Sequence, residues 1–231
     1  ARPITWSYRL QTKIRKHKTV AAILAISSLL AMLLGGIGLF SWWRSGQRIK
    51  VAQEFAQTVE NMETRMRIAR MAPLHNLNED KKLVDEKIAA IKQRIQEAGS
   101  ITEGPGYYAI GQGYIELSDF EQAKESLQKA WNLGYRTPQN AYALGITFGQ
   151  LYQQKLEAAQ RIENQAQKEA AIKEIKAKYR QPALDYLRKS EGLEQGLQDY
   201  VGGLIALYEE KYDEALQKAK SAQQKSWWLF E

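Results

Sequence analysis

Apolar residues fall along this chain in three different rhythms, and each rhythm predicts a different element. Residues 20–40 read VAAILAISSLLAMLLGGIGLF and contain no charged side chain. At 1.5 Å per residue, about 20 such residues cross a hydrocarbon core of about 30 Å. The run is too long for the apolar core of a cleaved leader, and no small-residue cleavage site adjoins it. It is apolar on every side, which a helix half-exposed to water is not. A single transmembrane helix over residues 20–43 is therefore predicted, with Trp42 and Trp43 as its interfacial aromatics.

The second rhythm is helical amphipathicity. Val51, Phe55, Val59, Met62, Met66 and Ala69 are spaced by three or four residues, which makes one apolar stripe. Pro73 ends that helix. Asn78 offers an N-cap for the next one, with Glu79 and Asp80 in its first turn, where the helix dipole favours acids. Its stripe is Val84, Ile88, Ile91, Ile95 and Ala98, and Gly99 suits the position just past its end. Residues 44–99 are thus expected to form a helical hairpin or a stalk.

The third rhythm is a repeat. Tyr108-x-x-Gly111-x-x-Tyr114 recurs 34 residues later as Tyr142-x-x-Gly145-x-x-Phe148, and again as Tyr200-x-x-Gly203-x-x-Ala206. Phe120-Glu-Gln-Ala123 follows the first copy as Tyr212-Asp-Glu-Ala215 follows the third, each with its Ala 12 residues after the Gly. A 34-residue period with these positions is the tetratricopeptide pattern of two antiparallel helices, A and B. Gly111 on helix A and Ala123 and Ala130 on helix B are small, so the helices approach closely. A mid-helix Gly costs about 1 kcal/mol against Ala, so its presence in all three copies points to a packing constraint. Ser118-Asp119 is the predicted turn, and Pro138 opens the next helix A.

In the second copy the B-helix sequence comes late, at Pro182-Ala183-Leu184-Asp185-Tyr186-Leu187. The intervening residues, about 152–180, are rich in Ala, Glu, Lys and Gln and read as helix throughout. The expected form is a long helical hairpin turning near Asn164. The fold class predicted for residues 100–231 is an all-α solenoid of tetratricopeptide-like helix hairpins, preceded by the stalk and the single membrane span.

Charge adds orientation. Of 33 Lys and Arg, nine lie in residues 1–50, which hold no Asp or Glu; the rest of the chain holds 24 against 26 acids. The net +7 thus belongs to the flanks of the apolar run. A nucleic-acid binder carries its basic face on the folded domain, so no nucleic-acid partner is expected. Arg9, Lys13, Arg15, Lys16 and Lys18 outweigh Arg44, Arg48 and Lys50, which places residues 1–19 in the cytoplasm and the repeats outside it. Trp6, Leu10 and Ile14, one helical turn apart among basic residues, suit an anionic bilayer surface. Gly35-Gly36-x-Gly38 fits either a close-packing face for a homodimer or plain helix packing and tolerance of small residues in lipid.

There is no Cys, which removes disulfides, thiolate nucleophiles and Cys-bound metals. His17 and His75 stand far apart in sequence, and neither is read as a ligand. No metal site and no cofactor are expected in this chain, and scattered helical carboxylates do not make an acid–base pair by spacing alone. The repeat register puts Tyr108, Gln112, Tyr142, Ile146, Gln150, Tyr200 and Leu204 on the A-helix face as candidate partner-binding residues. Tyr108, Tyr142 and Tyr200 hold the same repeat position. Two roles are open to them: contacts for a protein or peptide ligand, and packing between repeats.

Tyr108-Ala-Ile-Gly-Gln-Gly113, Asn132-Leu-Gly-Tyr-Arg-Thr-Pro138 with Ala141-Tyr-Ala-Leu-Gly145, and Lys178-Tyr-Arg-Gln-Pro-Ala-Leu-Asp-Tyr-Leu187 together resemble the region after the catalytic domain of certain bacterial transmembrane serine/threonine protein kinases. The resemblance includes Ala1-Arg-Pro-Ile-Thr-Trp-Ser-Tyr-Arg-Leu10, the basic run, the span and Pro73-Leu-His-Asn-Leu77, and so covers most of the chain. It implies a cytoplasmic kinase domain before the span, tetratricopeptide repeats beyond the bacterial inner membrane, and ATP with Mg only if that kinase domain is present. None of the kinase motifs occurs in these residues. The first residue is Ala, and residues 227–230 form an apolar end, so the expectation is a fragment or truncated product, with repeats that can continue past residue 231. The expected role is a membrane-anchored sensor or scaffold region of such a kinase. The alternative is a stand-alone membrane-tethered scaffold for envelope proteins, and the reading frame immediately upstream separates the two.

Overall fold

The computed structural model describes residue 32, residues 50–72 and residues 76–225. The chain divides into two compact units, Ala1–Lys50 and Val51–Glu231. The predicted membrane helix, the basic segment before it, the glycine cluster and the apolar end at 227–230 lie outside the described residues, apart from Met32. No described helix is long and apolar enough to cross a membrane.

The second unit is helical, with no strand among the described residues. Helix α1 covers residues 51–71, and its predicted stripe faces inward: Phe55, Val59, Met62, Met66 and Ala69 are buried. Helix α2 is Leu77–Ala98. Its cap is Asn76 rather than Asn78: the Asn76 side chain accepts a 3.1 Å hydrogen bond from the Asn78 backbone N–H. An Asn two residues earlier serves equally well, because a capping oxygen needs only a free N–H in the first turn. Val84, Ile88, Ile91 and Ile95 are buried, whereas Ala98 is exposed. Gly99 takes φ +67°, donates its N–H to the Ile95 carbonyl at 3.0 Å, and turns the chain directly into α3, Ser100–Glu116.

Residues 51–98 share one core with α3: Ala109 and Ile110 pack with the stripes of α1 and α2. Gly106 and Gly113 permit that approach. A Cβ on Gly106 would lie 2.6 Å from Ile95, and one on Gly113 would lie 2.8 Å from Ile88. Among the described residues, ion pairs tie α1 down: Arg65 to the buried Asp80 at 2.7 Å, Arg70 to Glu116 at 3.1 Å and Glu54 to Arg94 at 3.9 Å.

Helix α4, Phe120–Asn132, pairs with α3 as the first A/B hairpin, capped by Asp119. Ser118, at φ +61°, makes the turn. Helix α5, Pro138–Gln160, begins with Thr137 as cap and Pro138 in the first turn, where the missing N–H costs nothing. The chain reverses over 161–164. Asn164 caps α6, Gln165–Ile175, which runs through a π-helical turn, Lys176–Arg180, into α7, Gln181–Arg188. Helices α8, Gln195–Tyr208, and α9, Tyr212–Lys225, form the last described hairpin.

The three hairpins share one register, and glycine sets it. A Cβ on Gly111 would lie 2.5 Å from Leu127 Cγ and 3.3 Å from its backbone N. On Gly145 it would lie 2.7 Å from Leu187 Cγ and 3.1 Å from its backbone N. On Gly203 the matching backbone N belongs to Ala219, at 3.6 Å. The crossing partner is therefore residue 127 for Gly111, 187 for Gly145 and 219 for Gly203. The middle hairpin holds the same crossing as the others, with its two helices lengthened beyond it.

Candidate functional site

Seven A-helix residues were the sequence-based candidates, and all seven are partly exposed, so none is sealed in the core. Tyr108 and Gln112 lie on α3, Tyr142, Ile146 and Gln150 on α5, and Tyr200 and Leu204 on α8. Tyr108, Tyr142 and Leu204 also pack against the main core cluster. Their side chains thus contribute to packing while keeping an edge toward solvent.

Local contacts fix these rings. Gln112 Nε2 donates a 2.9 Å hydrogen bond to the Tyr108 hydroxyl, and the Tyr108 ring lies 5.4 Å from that of Tyr135. Burial pushes the Tyr108 and Tyr142 hydroxyls well above the ordinary phenol range. Tyr200 adds to the effect at Tyr142, which brings those two repeat-equivalent rings within electrostatic reach of each other. Burial also raises Tyr200 itself. On the same helices, Gly149 leaves room for the buried Tyr208, whose hydroxyl is pushed up to about 12 by burial and then by Tyr200 and Tyr152.

One residue missed in the sequence joins this set. Glu63 of α1 is half-buried, and its charge acts on both Tyr108 and Tyr142. Burial first, then the Glu116 carboxylate, raise it from 4.5 to about 7. Glu116 is raised mainly by burial, while Arg70 opposes the shift. Its Oε2 lies 3.1 Å from Arg70 Nη1, and Arg70 Nη2 also donates a 2.7 Å hydrogen bond to the Glu116 backbone carbonyl. No sequence signal marked Glu63, because its neighbours across the fold come from a helix more than forty residues away.

A carboxyl group raised by folding binds its proton more tightly in the folded state. Its stabilising contribution is complete below the unfolded value of 4.5 and is lost as pH rises through about 7. Glu63→Gln is therefore expected to flatten the fall in stability across that window and to stabilise the protein at pH 8. Urea unfolding at pH 5 and pH 8 checks this; an unchanged pH slope in the variant would show that Glu63 ionises freely.

No group of three or more His, Asp or Glu among the described residues is arranged to hold a metal. The tyrosines, amides and aliphatic edges of the A helices offer hydrogen bonds and apolar contact.

No family model and no curated protein matches the chain. Among solved structures it is similar to YrrB, described as a TPR protein with an unusual peptide-binding site. The likeness has 19% identity, covers 75% of this chain and 92% of that one, and gives a TM-score of 0.29. The repeat register rests on the crossings of Gly111, Gly145 and Gly203 instead.

Proposed function

We propose that this chain is a membrane-tethered docking region that binds protein or peptide partners on the A-helix face of its hairpin array. The observation that carries this reading is the recurrence of Tyr108, Tyr142 and Tyr200 at one register, each half-buried and each leaving an edge exposed. A repeated aromatic with one wet edge is suited to hold an extended partner at low entropic cost. The resemblance at residues 108–113, 132–145 and 178–187 supports a place in a bacterial transmembrane serine/threonine kinase, with the span at residues 20–40 as tether and the repeats outside the cytoplasm.

Two experiments test the parts separately. A photo-crosslinking residue at Ile146 in native membranes is expected to capture a partner polypeptide, and Tyr142→Ala is expected to abolish capture while the melting transition persists. Loss of the transition instead would assign Tyr142 to packing alone. For topology, the chain has no Cys, so labelling background is nil. Gln122→Cys should react with an impermeant maleimide on intact spheroplasts, and Ser7→Cys only after lysis. The reverse pattern would overturn the orientation.

A further inference from the structure

The side of the array formed by the B helices carries a second groove. Phe148 and Tyr186 stack at 5.8 Å, and Trp131 meets Tyr186 edge-on at 5.3 Å. Helices α4 and α7 and the π-helical turn flank an open depression of about 460 Å³ over Phe148 and Tyr186. A neighbouring cavity of about 420 Å³ runs along α5 and α6 and shares Lys178 and Tyr179 with the first. The π-helical turn is the shared wall. Such turns have poorer hydrogen-bond geometry than an α-helix and recur at functional sites.

The groove is cationic. Lys124, Lys178 and Lys189 line the first cavity, and Lys155 and Lys178 line the second beside one acid, Glu174. Lys124 and Lys155 share the Glu121 carboxylate. Among the described residues, no carboxylate lies within ion-pair distance of Lys178 or Lys189. Lys178 Nζ lies 5.4 Å from the Tyr179 ring centre, and Lys189 Nζ lies 5.2 Å from that of Tyr186 and 5.8 Å from that of Trp131. Asp185 is the acid lining the first cavity, and it is engaged by Gln181 at 3.0 Å and Arg188 at 3.8 Å. Two available ammonium groups therefore stand over an aromatic floor.

We propose that this groove docks an acidic peptide segment of a partner protein, with carboxylates on Lys178 and Lys189 and an apolar side chain over Phe148 and Tyr186. A lone phosphate has no use for an aromatic floor continued by a second cavity. A polynucleotide needs a broad basic face, whereas the residues after 50 hold 24 basic against 26 acidic groups. The groove is separate from the A-helix face, so the two readings stand or fall independently.

The test uses the full chain in non-ionic detergent and a fluorescent peptide rich in Glu and Asp with one central Phe. Saturable binding is expected, weakened by salt and by about tenfold or more in the Lys178→Glu, Lys189→Glu variant, and unchanged in Lys82→Glu, an exposed position on α2. If the charge reversal abolishes the melting transition, the Lys178→Gln, Lys189→Gln pair is read in its place. Absence of binding, equal binding of a Lys-rich peptide, unchanged affinity in the lysine variants, or preference for inorganic phosphate or single-stranded DNA would each overturn the proposal.

Discussion

Leu187→Ala is expected to be among the most damaging single changes in the described chain, costing about 2–5 kcal/mol. Leu187 is 1% exposed and sits where α5 crosses α7, between the first and third hairpins. Its truncation removes apolar contacts and leaves a cavity that two helices pinned from both sides cannot close. The variant also has a diagnostic second use. Gly145→Ala added to it should cost less than it does alone, because the Leu187 side-chain atoms that a new Cβ would strike at 2.7 Å are then gone, while the backbone N at 3.1 Å stays. Urea unfolding of the single and double variants measures this coupling directly. Additive losses would mean that Gly145 and Leu187 do not meet.

Gly145→Ala alone is expected to destabilise by about 1–3 kcal/mol, even though Ala is the better helix former by about 1 kcal/mol. The new Cβ would lie 2.7 Å from Leu187 Cγ and 3.1 Å from the Leu187 backbone N. The side chain can rotate only within a filled core, and the backbone cannot yield without moving α7. Gly203→Ala is the counter-case. Its Cβ would meet Ala215 and Lys218 at 3.5 Å, an ordinary contact, because Ala219 stands where the first two hairpins have Leu. That variant is expected to be neutral or more stable by up to about 1 kcal/mol. Opposite signs from two glycines with the same sequence signature would follow from the crossing distances alone. Equal losses at both would refute the difference in crossing distance.

Much of the helical layout could be read from the chain because local chemistry and burial agree there. The stripe from Phe55 to Ala69 is the buried face of α1, and Pro138 and Gly99 stand at helix ends for the reasons their backbones dictate. Where tertiary packing outweighs local preference, the sequence misleads. Gly104-Pro105-Gly106 carries the poorest helix formers and yet lies inside α3. It is tolerated because Gly104 faces Tyr135 and Gly106 faces Ile95 and Phe55, contacts that only the assembled fold reveals. The π-helical turn at Lys176–Arg180 has no signature, since Lys-Ala-Lys-Tyr-Arg is ordinary helix-forming sequence. At the A-helix face, periodicity could place Tyr108, Tyr142 and Tyr200 at one register. It could not reveal Glu63, whose burial depends on how α1 packs.

The three described hairpins are one motif in one register, and the third, with the loosest crossing, is the most stringent place to check it. A Cβ on Gly203 would lie 3.5 Å from Lys218 Cβ, inside the range of about 3.5–4.5 Å that a disulfide spans. In a chain without Cys, the Gly203→Cys, Lys218→Cys pair should therefore oxidise to an intramolecular bond, seen as a mobility shift on a non-reducing gel, while Gly203→Cys with Gln217→Cys should not. An unoxidised 203–218 pair, or a 203–217 pair that closes as readily, would contradict the register.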